Sequence, residues 1–192
     1  IDNNSKDQTV KLAKKTERAK IVKEKKQGYG HALQKGMAIA KGDILVLCDT
    51  DNTYTPEDIF KLLKFSNQFD CVFSTRTNKK YPLEGGNMRG MRRLANIFVG
   101  KLIQLLFHGP SMTDPGATFR LINRKVYDNI KEKFTVGGVH FQPELTILTL
   151  LHGFTIYEVP VRYGASTGKS KISGPLMGGI KTARKMLFVI FY

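Results

Sequence analysis

The feature that most constrains this chain is an apolar run, Ile44-Leu45-Val46-Leu47-Cys48, that stops at two carboxylates, Asp49-Thr50-Asp51. An uninterrupted apolar run of this length, bounded upstream by Lys41-Gly42-Asp43, reads as a strand buried in a parallel sheet. Such a strand needs helices to cover its faces, and the flanking sequence alternates accordingly. Ser5-Lys6-Asp7-Gln8-Thr9 reads as a turn and N-cap for a helix that runs to about residue 19. A short strand over 19–22 follows, then the glycine loop Gln27-Gly28-Tyr29-Gly30 and a helix over 31–40. Beyond the carboxylates come a helix over 56–67 and a strand over 69–74. This alternation predicts a doubly wound α/β sheet. A polar, glycine-rich stretch over 81–90 precedes a helix over 91–107. The turn Asp114-Pro115-Gly116-Ala117-Thr118 feeds a short strand; helices over 123–133 and 141–151 and an alternating strand over 154–161 complete the pattern.

Two carboxylates at a strand end repel each other, and a divalent cation relieves that repulsion. Open α/β sheets bind ligands outside the carboxyl ends of their strands. A cation held by one or two carboxylates keeps positions open for nucleotide phosphates. The plainer alternative is a polar turn leading to the helix start at Thr55-Pro56-Glu57.

Charge narrows the partner. The chain has 31 Lys+Arg against 16 Asp+Glu, a formal net charge of +15. That excess points to nucleic acid, an anionic membrane surface or a phosphorylated substrate. Cys48 and Cys71, both in apolar runs, read as two buried thiols of a reducing compartment rather than a disulfide. No metal-ligand Cys/His spacing, internal repeat or low-complexity segment is present. The abrupt start at Ile1-Asp2-Asn3 and the apolar close at Phe188-Val189-Ile190-Phe191-Tyr192 read as the ends of an interior piece of a longer protein.

Several landmarks fall in one order: Asp2-Asn3-Asn4-Ser5-x-Asp7, Gly28-x-Gly30, Asp49-x-Asp51, Thr75-Arg76, Phe119-Arg120, Gln142-Pro143-Glu144-Leu145, and Glu158-Val159-Pro160-Val161 followed by Gly168-Lys169-Ser170-Lys171-Ile172-Ser173. In this order the chain strongly resembles family 2 glycosyltransferases of the GT-A fold, and among them the polyprenyl-phosphate (dolichyl-phosphate) hexose synthases. The resemblance implies a Rossmann-like, mostly parallel sheet flanked by helices. The family's first strand has no counterpart here. It implies a catalytic domain over 1–174 and a basic amphipathic, membrane-proximal segment over 175–192.

The resemblance also assigns roles. Asp2, Asn3, Lys26, Gly28, Asp49, Thr50 and Asp51 would bind the nucleotide-sugar, with Asp49 and Asp51 holding Mg²⁺ or Mn²⁺ across the diphosphate. Asn3 and Asn4 stand where the family has Asp and Gly, and Thr53 where many relatives have a metal-assisting Gln. Arg76, Arg89, Arg93, Arg120, Lys169 and Lys171 would bind acceptor or donor phosphate; Ser166 replaces an Arg common in relatives. Asp51, Glu144 and Arg76 are the catalytic candidates. Glu144 would act as general base toward a hydroxyl acceptor, whereas a phosphate acceptor is already ionised and needs none. Lys181, Arg184 and Lys185 among Met186, Leu187 and Val189 fit a basic amphipathic helix at an anionic membrane.

The sequence therefore predicts an inverting, metal-dependent hexosyltransferase. Its donor would be a UDP- or GDP-hexose and its acceptor a lipid phosphate, with the active site on the cytoplasmic side of a membrane. Three rivals are a family 2 enzyme with a hydroxyl acceptor, a basic nucleic-acid-binding protein, and a catalytically dead scaffold. Nucleic-acid binding explains the charge but not the carboxylates, and no recognisable nucleic-acid-binding signature is present, so no nucleic-acid partner is expected. The intact Asp49 and Asp51 argue against a dead scaffold.

Overall fold

The computed structural model describes residues 1–78, 90–165 and 176–191, with side chains of 176–183 left undescribed. Its centre is a sheet of four strands: β1 (Ile44–Leu47), β2 (Cys71–Thr75), β3 (Arg120–Asn123) and β4 (Ile156–Pro160), in the order β1-β3-β2-β4. β3 pairs antiparallel with both β1 and β2, and β2 pairs parallel with β4. Three strands therefore run the same way, as the mostly parallel expectation requires, with β3 inserted against them. β3 starts beside Leu47 and Phe73. It enters the sheet from the carboxyl ends of β1 and β2, so the turn that feeds it lies over those ends.

The strands alternate between two cores with the period of two that a pleated chain imposes. Leu45, Leu47, Cys71, Phe73, Ile122 and Ile156 face one core, with Met37, Val126, Phe141 and Leu145. These come from helices α2 (Tyr29–Ile39), α5 (Arg124–Ile130) and α6 (Phe141–Leu151). Val72, Leu121, Val159 and Val161 face the other core, with Leu62 of helix α3 (Ile59–Leu63) and Tyr54. Beyond α6 a third cluster joins Val99 and Ile103 of helix α4 (Gly90–Leu106) to Met186 and Ile190 of helix α7 (Leu176–Phe191).

Four expectations need correction. β1 is an edge strand among the described residues and is covered on one face only: Ile44 and Val46 are exposed, whereas Leu45 and Leu47 are buried. Cys48 shares the outward parity of Ile44 and Val46 and is exposed, whereas Cys71 is buried; both are free thiols. The first helix, α1 (Thr9–Lys15), buries no residue and stops well before residue 19, where Glu17 turns to φ 52°. The short strand expected over 19–22 reduces to one bridge between Asp2 and Lys23.

Candidate functional site at the carboxyl ends of β1 and β2

β1 delivers Asp49 to the edge of the sheet, where two hydroxyls meet it. Tyr29 donates to Oδ1 at 3.0 Å and Thr118 donates to Oδ2 at 3.0 Å. The two hydroxyl oxygens also touch each other, with both protons directed to Asp49. Tyr29 stands between the two glycines that open α2, and Thr118 lies on the turn that feeds β3. Burial raises the Asp49 carboxyl above its usual range, and the charge of Asp51 adds to that; the two hydroxyl bonds and the Arg76 charge work against it. Asp51 accepts from the Thr53 amide at 3.2 Å and the Thr53 hydroxyl at 2.6 Å. Asn52 supports this turn with φ 66°, a left-handed conformation that asparagine tolerates. Thr53, the departure from the family's Gln, thus anchors Asp51. Thr50 is exposed.

A second cluster forms at the end of β2. Arg76 grips Asp114 with Nε at 2.7 Å and Nη2 at 2.8 Å, and its own amide donates to Asp114 at 2.9 Å. Asn96 of α4 donates to the same carboxylate at 2.8 Å. Asp114 is held in turn by Glu158 of β4, which accepts from the amides of Thr113 and Asp114 and from the Thr113 hydroxyl. Thr75, Thr77 and Thr113 close a triangle of hydroxyl contacts at 2.7–2.9 Å. Arg93 donates to the Thr77 carbonyl at 2.7 Å, so it stands beside this cluster.

Several expected ligands do structural work instead. Arg120 is 0% exposed. Its guanidinium donates to the carbonyls of Ala117, Gln142 and Pro115 and to the Thr146 hydroxyl, and it stacks 4.0 Å above the Phe73 ring. It fixes the 115–118 turn against α6 rather than reaching a phosphate. Glu144, 5% exposed, accepts from the Thr135 amide and hydroxyl at 2.7 and 2.6 Å and from the Val136 amide at 3.2 Å. Both its oxygens are committed to residues 135–136, so it does not stand as an unencumbered base. Asn3 is likewise occupied: its amide nitrogen donates to the Glu24 and Lys26 carbonyls, and its oxygen accepts from Gly28 and Gln27.

The glycine loop was expected to admit a nucleotide. A Cβ on Gly28 would lie 2.2 Å from the Gly137 carbonyl oxygen, and one on Gly30 would lie 2.8 Å from the Val136 oxygen. The missing side chains therefore make room for the segment that Glu144 holds, and Gly28 at φ 150° could not be replaced without strain. Asp2 accepts from the Ser5 amide at 3.0 Å, and hydrogen bonds from the Ser5 side chain and then its amide lower the Asp2 carboxyl pKa, while Asn4 takes φ 60° where the family has glycine. Lys26 is exposed. Arg89, Lys169 and Lys171, with Ser166, lie outside the described residues.

Among the described residues no group of three or more His, Cys, Asp or Glu is placed to hold a metal ion. The pair Asp49 and Asp51 is thus the candidate. A carboxylate offers about four acceptor positions, and Asp49 uses one on each oxygen. The donor set suits a hard cation that takes its remaining ligands from phosphate oxygens.

Sequence reasoning missed the partners that tune these residues: Tyr29, Thr118, Asp114 and Glu158. Their motifs were visible, as Gly-Tyr-Gly, Asp-Pro-Gly-Ala-Thr and Glu-Val-Pro-Val, but their pairing depends on how β3 enters the sheet.

The model of the family described as "Glycosyl transferase family 2" matches residues 1–131. The chain belongs to this family. Among curated family relatives, a dolichyl-phosphate hexose transferase of Haloferax volcanii is 27% identical over 188 residues, covering 97% of this chain and 78% of the relative. An uncharacterized glycosyltransferase of Mycobacterium bovis is 27% identical over 181 residues, covering 94% of this chain and 79% of its own length. Glucosyl-3-phosphoglycerate synthase of Mycobacterium tuberculosis, in complex with Mn²⁺, uridine diphosphate and glucosyl-3-phosphoglycerate, shares the fold with a TM-score of 0.73 at 19% identity, covering 100% of this chain. The chain spans 66% of that protein's length.

Proposed function

We propose that this family 2 domain transfers a hexose from a nucleoside-diphosphate sugar to a polyprenyl phosphate at a membrane surface. The observation that carries the reading is Asp49: a desolvated carboxylate at the carboxyl end of β1, beside Asp51, hydrogen-bonded by hydroxyls and by no cationic side chain among the described residues. Asp49 and Asp51 would hold Mg²⁺ or Mn²⁺. Bound there, the ion would neutralise charge on the departing diphosphate. An acceptor phosphate oxygen would attack the anomeric carbon in line as the bond from that carbon to the diphosphate oxygen breaks. The nucleoside diphosphate leaves with the electron pair, and the configuration inverts.

Glu144 favours the phosphate acceptor over a hydroxyl. A hydroxyl acceptor calls for a free general base, and the Glu144 carboxylate is spent on Thr135 and Val136. A phosphate monoester needs no such base. Arg93 supplies positive charge at the end of β2, beside the Arg76–Asp114 pair. The name of the Haloferax relative and the UDP and Mn²⁺ bound by the mycobacterial synthase are in keeping with this donor and acceptor.

The membrane part rests on α4 and α7. The buried side of α4 is Val99, Gly100 and Ile103. Its opposite side carries Met91, Leu94, Phe98 and Leu105, all exposed, where a solvated helix would be polar. On α7, Phe188 and Phe191 are exposed beside Arg184 and Lys185. No helix among the described residues is long and apolar enough to cross a membrane. The contact made by these exposed apolar faces would be interfacial, and the proposed active site faces the cytoplasm. The segment over 175–192 would form part of that contact.

The test supplies UDP- and GDP-hexoses with Mn²⁺ or Mg²⁺, with and without a short polyprenyl phosphate. Release of nucleoside diphosphate that depends on the lipid and disappears in Asp51→Ala supports the reading. Metal-dependent turnover that ignores the lipid moves the acceptor to a hydroxyl.

A further inference from the structure

Four buried side-chain N or O atoms lack a hydrogen-bond partner among the described residues, and two of them are the amide nitrogen and oxygen of Gln142. Gln142 is 1% exposed. A side-chain amide has two donors and an acceptor oxygen, and burying it unpaired is unfavourable unless something arrives to pair with it. The residue is also firmly placed. Its backbone carbonyl accepts from Arg120 at 3.0 Å and from the Thr146 hydroxyl at 2.9 Å. Its side chain stands beside the Tyr29 hydroxyl and works against the rise in that hydroxyl's pKa, although no hydrogen bond of ordinary geometry joins the two. That hydroxyl donates instead to Asp49. Gln142 occupies the first turn of α6, beside Pro143.

The chemistry of the missing partner follows from this set. An apolar group would leave the amide unpaired. A phosphate would satisfy only its donors and leave the amide oxygen unpaired. A hydroxyl accepts from the amide nitrogen and donates to a carboxylate or to the amide oxygen, and neighbouring hydroxyls on a ring would serve both amide atoms. We propose that Gln142, together with Asp49, forms a subsite that reads a hydroxyl of the donor's hexose and so discriminates between epimers. Gln142 is then a specificity-determining residue. This rests on the nucleotide-sugar reading above and adds what the amide is for.

The test is calorimetric binding to the full natural chain in Mn²⁺. The probes are UDP and GDP alone, UDP-glucose against UDP-galactose, and GDP-glucose against GDP-mannose. The variants are Gln142→Leu, which removes the polar atoms, and Gln142→Glu, which keeps the shape but exchanges the donor for charge. Thermal melting confirms that each folds, and Gln142→Met stands in if the leucine variant does not. The affinity of bare nucleotide should stay within about twofold, while the preference between epimers falls by about tenfold or more, the range expected for losing one hydrogen bond to a substrate hydroxyl. An unchanged epimer preference overturns the proposal, as does a loss shared equally by the bare nucleotide. If bare nucleotide binds the wild-type protein and the hexose adds nothing, the subsite fails while the nucleotide reading stands. If neither nucleotide binds the wild-type protein, the nucleotide-sugar reading fails and the subsite falls with it.

Discussion

Asp49 and Asp114 are both desolvated aspartates at the carboxyl edge of the sheet, and the protein serves them differently. Asp114, 1% exposed, is saturated by the bidentate Arg76 guanidinium, the Arg76 amide and Asn96. Among the described residues Asp49 receives only the hydroxyls of Tyr29 and Thr118, and burial holds its carboxyl above the usual range. A buried carboxylate met by arginine is neutralised and becomes scaffold. One met by neutral donors keeps an unmet demand for positive charge. The contrast separates the residue that shapes the site from the residue that waits for a cation.

The largest expected effect comes from removing the scaffold. Asp114→Ala leaves the Arg76 charge without its partner, and breaking a buried pair in this way costs about 3–5 kcal/mol. A steep fall in the unfolding free energy, read by denaturant titration, should accompany loss of activity. Asp49→Asn should behave in the opposite sense. It removes a desolvated charge, so the melting temperature without metal should not fall, while turnover drops by about 10²–10³-fold, the scale on which a single electrostatic contact to a transition state acts. If Asp49→Asn unfolds the protein and Asp114→Ala does not, the contrast is wrong.

Glu144→Gln probes the same distinction in a third acid. Swapping an acceptor for an amide at Thr135 and Val136 should destabilise by about 1–3 kcal/mol. Some activity should survive, since the account gives Glu144 no proton to take. Complete inactivity in a fully folded Glu144→Gln would restore it as a base.

Glu158 offers a pH test. Burial raises its carboxyl above the ordinary value, against the opposing bonds from Thr113 and Asp114. A group whose folded pKa is raised contributes stability that is complete below the unfolded pKa and is lost as pH rises through the folded pKa. Glu158→Gln should therefore destabilise less at pH 8 than at pH 4, as thermal melts at the two values would show. The smallest effect concerns the outer face of α4. Phe98→Ser should weaken binding to anionic vesicles by about 1 kcal/mol, a partial share of burying a phenylalanine, and leave the soluble-substrate affinities alone.

Much of this was legible in the sequence because it is local. The bounds of α6 follow from its apolar run and the His152-Gly153 stop, and Asp49 and Asp51 announce themselves at the end of an apolar run. The partners were not legible. Thr118 reaches Asp49 across 69 positions and Glu158 reaches Asp114 across 44, and both contacts exist because β3 runs against its neighbours. Periodicity says that a segment is a strand but not which way it enters a sheet. Arg120, Glu144 and Gly28 each meet their own chain: Arg120 meets the 115–117 turn and α6, Gly28 meets Gly137, and Glu144 meets Thr135 and Val136 nine and eight positions away.

The most direct test of the central claim is a titration of UDP and GDP into the wild-type protein and Asp49→Asn, with and without Mn²⁺. The account predicts that one nucleotide binds the wild-type protein only when the cation is present, and that the cation makes no difference to the variant. Equal, cation-independent binding by both proteins would contradict it.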